Sequence, residues 1–268
     1  MATDYGGAFS GHGAQPPQPA RPRRTRNLAL AVLVLGAVGF LASAAGAATR
    51  VLPRSFTAAQ RQQITDWEYG ARWRTLTAAA VFPASVGYPP PALLPAARSL
   101  KLTARRIGIA GQASCAAAAD TTAARLLDRD GCTAMLRASY VDGTDSYVVT
   151  VGAAVLPTAS AAASAARSVS QVAGPDGLGS TVRAVSFQAT PAAGFTARRR
   201  QLSGVVSAGP YVVLYTVGYA DSRPREPVAR DKYTAGEMTS AGQGVANAVL
   251  SVLAAPVPPP HCPGTPGC

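Results

Sequence analysis

The chain has 268 residues, 25 Lys and Arg against 13 Asp and Glu for a net charge of +12, and 48% hydrophobic residues. One domain of roughly two hundred residues with a sizeable core fits that length once the polar ends are set aside. The only histidines, His12 and His261, lie in the terminal stretches, which excludes a histidine-based hydrolytic triad inside a core and leaves a zinc site without its usual ligands.

Residues 1–27 are Gly-, Pro- and Gln-rich with little aliphatic content and read as a disordered cytoplasmic tail. From Leu28 to Ala48 follow 21 residues without a charge, which at helical rise span about 30 Å, the thickness of a hydrocarbon core. This run predicts a single transmembrane helix. Arg21, Arg23, Arg24 and Arg26 before it outweigh Arg50 and Arg54 after it, so the expected orientation has the N-terminus cytoplasmic and the remainder outside a cell membrane. The alternative is a secretion signal cleaved after Ala47, in the small-residue stretch Ala45-Gly46-Ala47. The apolar run exceeds the roughly 7–15 residues of a signal core and favours the uncleaved anchor.

Residues 49–99 are expected to form a juxtamembrane helix and a Pro-rich connector. Ser55 suits an N-cap for a helix starting at Phe56 or Thr57, with Ile64, Trp67, Ala71 and Leu76 or Ala78 near one face. Gly70 weakens its middle, and Pro83 ends it. Pro83 to Pro95 then reads as an extended connector.

Residues 100–255 read as the exported domain. Leu100 to Ile109 has strand alternation and Ala116 to Leu127 helical composition. Two β-rich runs, ending before and starting after Asp142-Gly143-Thr144-Asp145, predict a hairpin. Thr158 caps an Ala-rich helix, and the stretch from Ser180 to Ala189 returns to strand alternation. Gln201 to Ser207 and Tyr211 to Tyr219 flank Ala208-Gly209-Pro210 and predict a second hairpin, whose second arm is apolar on both faces as a central strand is. A final helix from Thr234 to Leu253 places Met238, Val245, Val249 and Leu253 on one buried face. Residues 256–268 form a Pro/Gly-rich tail. The expected fold class is α+β, a mostly antiparallel sheet with packed helices behind the transmembrane helix.

Cys115, Cys132, Cys262 and Cys268 all follow the apolar segment. An even number in an oxidising compartment points to disulfides. Sequence proximity pairs Cys115 with Cys132 and Cys262 with Cys268, although four cysteines allow three arrangements.

The strings DWEYGARWRTLTAAAVFP, GC followed by LRASYVD, and VVTVGAAVLP resemble a group of membrane-anchored exported proteins of high-GC actinobacteria. The likeness covers roughly residues 55 to 255 in order. That group has no assigned activity, so the resemblance implies a cell-surface address and a disulfide involving Cys132 and no chemistry.

No catalytic constellation, cofactor motif or metal site is expected. Asp128, Asp130, Asp142, Asp145 and Asp176 offer carboxylates for a histidine-free envelope enzyme, but their places at helix ends and turns suit backbone roles. Two features remain as binding candidates. Tyr211, Tyr215 and Tyr219 share one strand face and suit the wall of a lipid or glycan groove, with core packing as the plainer account. Arg198, Arg199 and Arg200 form a basic run suited to an anionic lipid or cell-wall polymer rather than nucleic acid. Besides the lipid bilayer through Leu28 to Ala48, those are the expected partners, and the expected function is a binding, sensing or assembly domain of the cell envelope.

Overall fold

The computed structural model describes residues 32–34, 56–91, 99–172, 178–226 and 231–257. The chain divides into two compact units. The first comprises Met1–Ser55 with His261–Cys268, of which only the helical Val32–Val34 is described, and the second comprises Phe56–Pro260.

The second unit begins with α1 (Ala58–Thr75). Thr57, not Ser55, is its N-cap, in a reciprocal box in which Gln60 N donates to Thr57 Oγ1 at 3.2 Å and Thr57 N donates to Gln60 Oε1 at 3.0 Å. Gly70 is accommodated within the helix, and the break falls instead at Leu76, before the short α2 (Ala78–Val81) capped by Thr77. The expected connector contains a strand, β1 (Ser85–Tyr88), because Val86 and Tyr88 have a core to enter. β2 (Leu102–Ala113) follows, then two short helices in place of one expected, α3 (Cys115–Ala118) and α4 (Thr121–Arg129). The first hairpin is β3 (Ala134–Asp142) and β4 (Tyr147–Val155). After it comes α5 (Ala159–Ser170), where Ala161 N donates to Thr158 Oγ1 at 3.1 Å as the cap residue suggested. The second hairpin, β5 (Arg200–Ala208) and β6 (Tyr211–Tyr219), leads to α6 (Lys232–Leu253), capped by Asp231.

Six strands form one sheet in the order β1-β2-β3-β4-β6-β5, every neighbouring pair antiparallel. Strands β3, β4 and β6 are covered on both faces, which is why their sequences lack polar alternation. On one face Tyr140, Val151 and Val213 pack against Met238, Val245 and Val249 of α6. Met238, Val245, Val249, Leu250 and Leu253 are buried, and each such side chain contributes about 1.5–3 kcal/mol. On the other face Met135, Ala154 and Leu214 meet α3, α4 and α5 through Ala118, Leu127 and Ala165.

Close packing shows where glycine is required. A Cβ on Gly204 of β5 would stand 2.3 Å from the Tyr215 ring, and one on Gly242 of α6 would stand 2.5 Å from it. The tyrosine ring therefore occupies the space that two absent side chains leave.

The alternating stretch from Ser180 to Ala189 is not a strand of the sheet. It runs as a strap across the face opposite α6, joined to α3's end by a single bridge from Val182 to Ala119. Its polar groups are satisfied by that face: Thr181 Oγ1 donates to Tyr215 O at 2.9 Å, and Val185 N donates to Thr150 Oγ1 at 3.2 Å. Ser180, Thr181 and Val182 are buried in succession, and beyond them the exposed Arg183, Ser186 and Gln188 are interspersed with partly buried residues, without ladder pairing.

The transmembrane expectation is corrected by the structure. Among the described residues no helix is long and apolar enough to cross a membrane. α6, at 22 residues, has the length, but Lys232, Glu237, Gln243 and Asn247 lie outside its buried apolar face, the pattern of an amphipathic helix packed on a sheet. Apart from Val32–Val34, the segment Leu28–Ala48 lies outside the described residues, and the single-pass anchor with its cytoplasmic N-terminus is unsupported. The tail 1–27 and the pair Cys262 and Cys268 also lie outside them. Cys115 and Cys132 form a disulfide, and the described residues hold no free cysteine.

Candidate functional site

The β3–β4 turn is built on Asp142. Its Oδ1 accepts from Ser146 N at 2.7 Å and Tyr147 N at 2.6 Å, while Oδ2 accepts from Thr144 N at 3.1 Å and from the Thr144 hydroxyl. Four donors occupy this 4%-exposed carboxylate, so its charge is compensated by the turn that it shapes. Gly143 N donates to Thr103 O at 2.7 Å, which fastens the turn to β2, and Asp145, at φ 55°, pairs with Arg105 at 2.9 Å.

This turn sets Tyr147 at the start of β4, on the α6 side of the sheet. There its hydroxyl donates to Glu237 Oε2 at 2.6 Å, a bond between residues ninety positions apart. Burial first, then the hydrogen bond to Glu237 and nearby carboxylate charge, hold the Tyr147 phenol well above its ordinary pKa. Tyr88, at the end of β1, is pushed up to about 12 by burial and then by the charges of Asp142 and Glu237. Tyr219 packs its ring 5.9 Å from that of Tyr147, with the Arg223 guanidinium 4.3 Å above it.

These groups surround a cavity of about 480 Å³, with Tyr88, Tyr147 and Glu237 at its α6 side and Lys101, Asp142 and Thr144 toward the β3–β4 turn. That volume suits a small ligand. Glu237 Oε1 and Lys101 Nζ make no hydrogen bond or ion pair among the described residues. The cavity therefore offers an acceptor anchored by a phenol and a positively charged donor at its edge. Two carboxylates share the cavity, the arrangement that a histidine-free hydrolase would need, but the oxygens of Asp142 are already held by four donors. No group of three or more His, Cys, Asp or Glu able to hold a metal occurs among the described residues.

The sequence candidates fall elsewhere. Tyr211 and Tyr215 are 0% and 4% exposed in the core under α6, where the Tyr211 hydroxyl donates to Tyr69 O. Neither is among the residues that line the cavity. Tyr219 alone reaches the neighbourhood of the cavity, through Tyr147. The arginine run is divided: Arg198 is exposed, Arg199 donates to Gly194 O at 3.2 Å, and Arg200 pairs with Asp120 at 2.6 Å while its Nε donates to Ala197 O at 3.0 Å. A short 3-10 turn over Ala197–Arg199 points the three side chains apart. No motif in the sequence marks Tyr88, Tyr147 or Glu237, and Lys101 does not stand three residues after a serine as a Ser/Lys pair would require. One signal existed, since Glu237 is the only acidic residue within α6.

In comparisons with protein-family models, curated proteins and solved structures, nothing matches the chain.

Proposed function

We propose that the protein is a disulfide-stabilised binding domain that takes a small, hydroxyl- or amine-bearing ligand, the chemistry of a saccharide unit, in the cavity between the β3–β4 turn and α6. The observation that carries this reading is Glu237, fixed by the Tyr147 hydroxyl at 2.6 Å with its second oxygen unengaged on a cavity of about 480 Å³. A carboxylate oriented in this way accepts from ligand hydroxyl or ammonium groups without further ordering. Tyrosine rings give apolar surface to the flatter side of such a ligand. The Cys115–Cys132 disulfide supports residence in an oxidising compartment, in keeping with a role at the cell envelope.

Titration calorimetry of the full chain with glucose, glucosamine, N-acetylglucosamine and their disaccharides tests the proposal. Binding by at least one, weakened about tenfold or more by Glu237→Gln in a variant that still unfolds cooperatively, is expected, since a charged hydrogen bond contributes about 1.5–3 kcal/mol. No heat with any sugar, or equal binding by the variant, overturns it. Turnover of a bound disaccharide would replace a binding role with a hydrolytic one.

A further inference from the structure

We propose that Arg137 and Arg183 form an oxyanion site, for a phosphate or sulfate group, on the sheet face opposite α6 and apart from the cavity. Arg137 lies in the middle of β3, with Ala110 of β2 and Gly152 of β4 as its register partners. Neither neighbour has a side chain large enough to cover its stem. The strap is clamped on both sides of it. A Cβ on Gly152 would meet Val182 Cγ2 at 2.6 Å, and Ser139 Oγ donates to Val185 O at 2.8 Å. These contacts bring Arg183, the residue after Val182, over the same part of the face, where its Nε donates to Ala119 O at 2.8 Å and fixes its direction.

Among the described residues neither guanidinium pairs with a carboxylate. Arg137 Nε is buried with no hydrogen-bond partner, and its guanidinium makes no hydrogen bond or ion pair among the described residues. Every described ion pair of this unit involves other arginines: Arg105, Arg129, Arg200 and Arg223. Burial first, and the charge of Arg183 second, lower the pKa of Arg137, with no acidic group acting in the other direction. Two neighbouring guanidinium groups, one half-buried and with an orphaned donor, are costly unless an anion joins them. An oxyanion supplies both the missing charge and acceptors in the geometry that a guanidinium fork favours. A free phosphate and a lipid phosphodiester share that chemistry.

The experiment titrates the full chain with inorganic phosphate at constant ionic strength, chloride replacing phosphate, and follows calorimetric heat and melting temperature. Arg183→Gln changes an exposed side chain, and Arg137→Met keeps the apolar stem. Arg198→Gln removes an exposed charge elsewhere. The expected result is saturable phosphate binding, weakened tenfold or more by either of the first two variants and unchanged by the third. Equal loss in all three, or none in Arg183→Gln and Arg137→Met, overturns the site and leaves a nonspecific charge effect. Flotation with phosphatidylcholine vesicles, with and without phosphatidylglycerol, then separates the sources. Arg137-dependent recovery only with phosphatidylglycerol assigns the site to a lipid head group, and phosphate binding without recovery assigns it to a soluble anion.

Discussion

Replacing both Cys115 and Cys132 by alanine removes the cross-link that holds α3, α4 and the loop before β3 together. The two cysteines are separated by 17 positions, and closing such a loop in the unfolded chain contributes about 3 kcal/mol. The helices inside it are four and nine residues long, too short to persist alone in water. They stay folded through Ala118, Ala123 and Leu127, which pack against Met135 and Leu156. For a domain of this size a loss of about 3 kcal/mol lowers the melting temperature by about 6–12 °C. Differential scanning calorimetry of the full chain against the double variant measures this directly. A difference below about 2 °C would mean that packing alone holds the α3–α4 corner and that the loop-entropy argument fails here.

Gly242→Ala should cost about 1–3 kcal/mol, because its Cβ would stand 2.5 Å from the Tyr215 ring. Gly70→Ala, with nothing within 4 Å of its Cβ on a helix, should instead stabilise by about 0.5–1 kcal/mol. Paired thermal melts check both, and the same sign for the two would refute the packing account. Alkaline stability follows from the tyrosines. Tyr88 rises from 10.0 to about 12 on folding, and Tyr140 and Tyr147 are also raised, so the folded state retains phenolic protons that the unfolded chain releases. Their stabilisation is complete below the unfolded value of 10.0 and is lost as pH rises through about 12 for Tyr88, at about 1.4 kcal/mol per pH unit for each group. Phenolate absorbance should lag in the folded protein, and Tyr88→Phe should flatten the stability loss. Simultaneous titration of all tyrosines near their ordinary value would refute the burial argument.

The sequence by itself determined those features whose cause is local. Asp142-Gly143-Thr144-Asp145 closes a hairpin because an aspartate at that place can bind the turn's own backbone, and Asp142 does so through Thr144, Ser146 and Tyr147. Thr158 caps α5 for a similarly local reason, and Met238, Val245, Val249 and Leu253 show their burial in a 3.6-residue period. Hydropathy described the composition of Leu28–Ala48, whereas no described helix meets the length and apolarity of a span. Only the tertiary structure decided that β4 lies between β3 and β6, that the strap lies across the sheet, and that Tyr211 and Tyr215 are core. The same holds for the bond from Tyr147 to Glu237 and the division of Arg198, Arg199 and Arg200 by Asp120. Each of these depends on register and on closing long loops, which join residues tens of positions apart and leave no period in the chain.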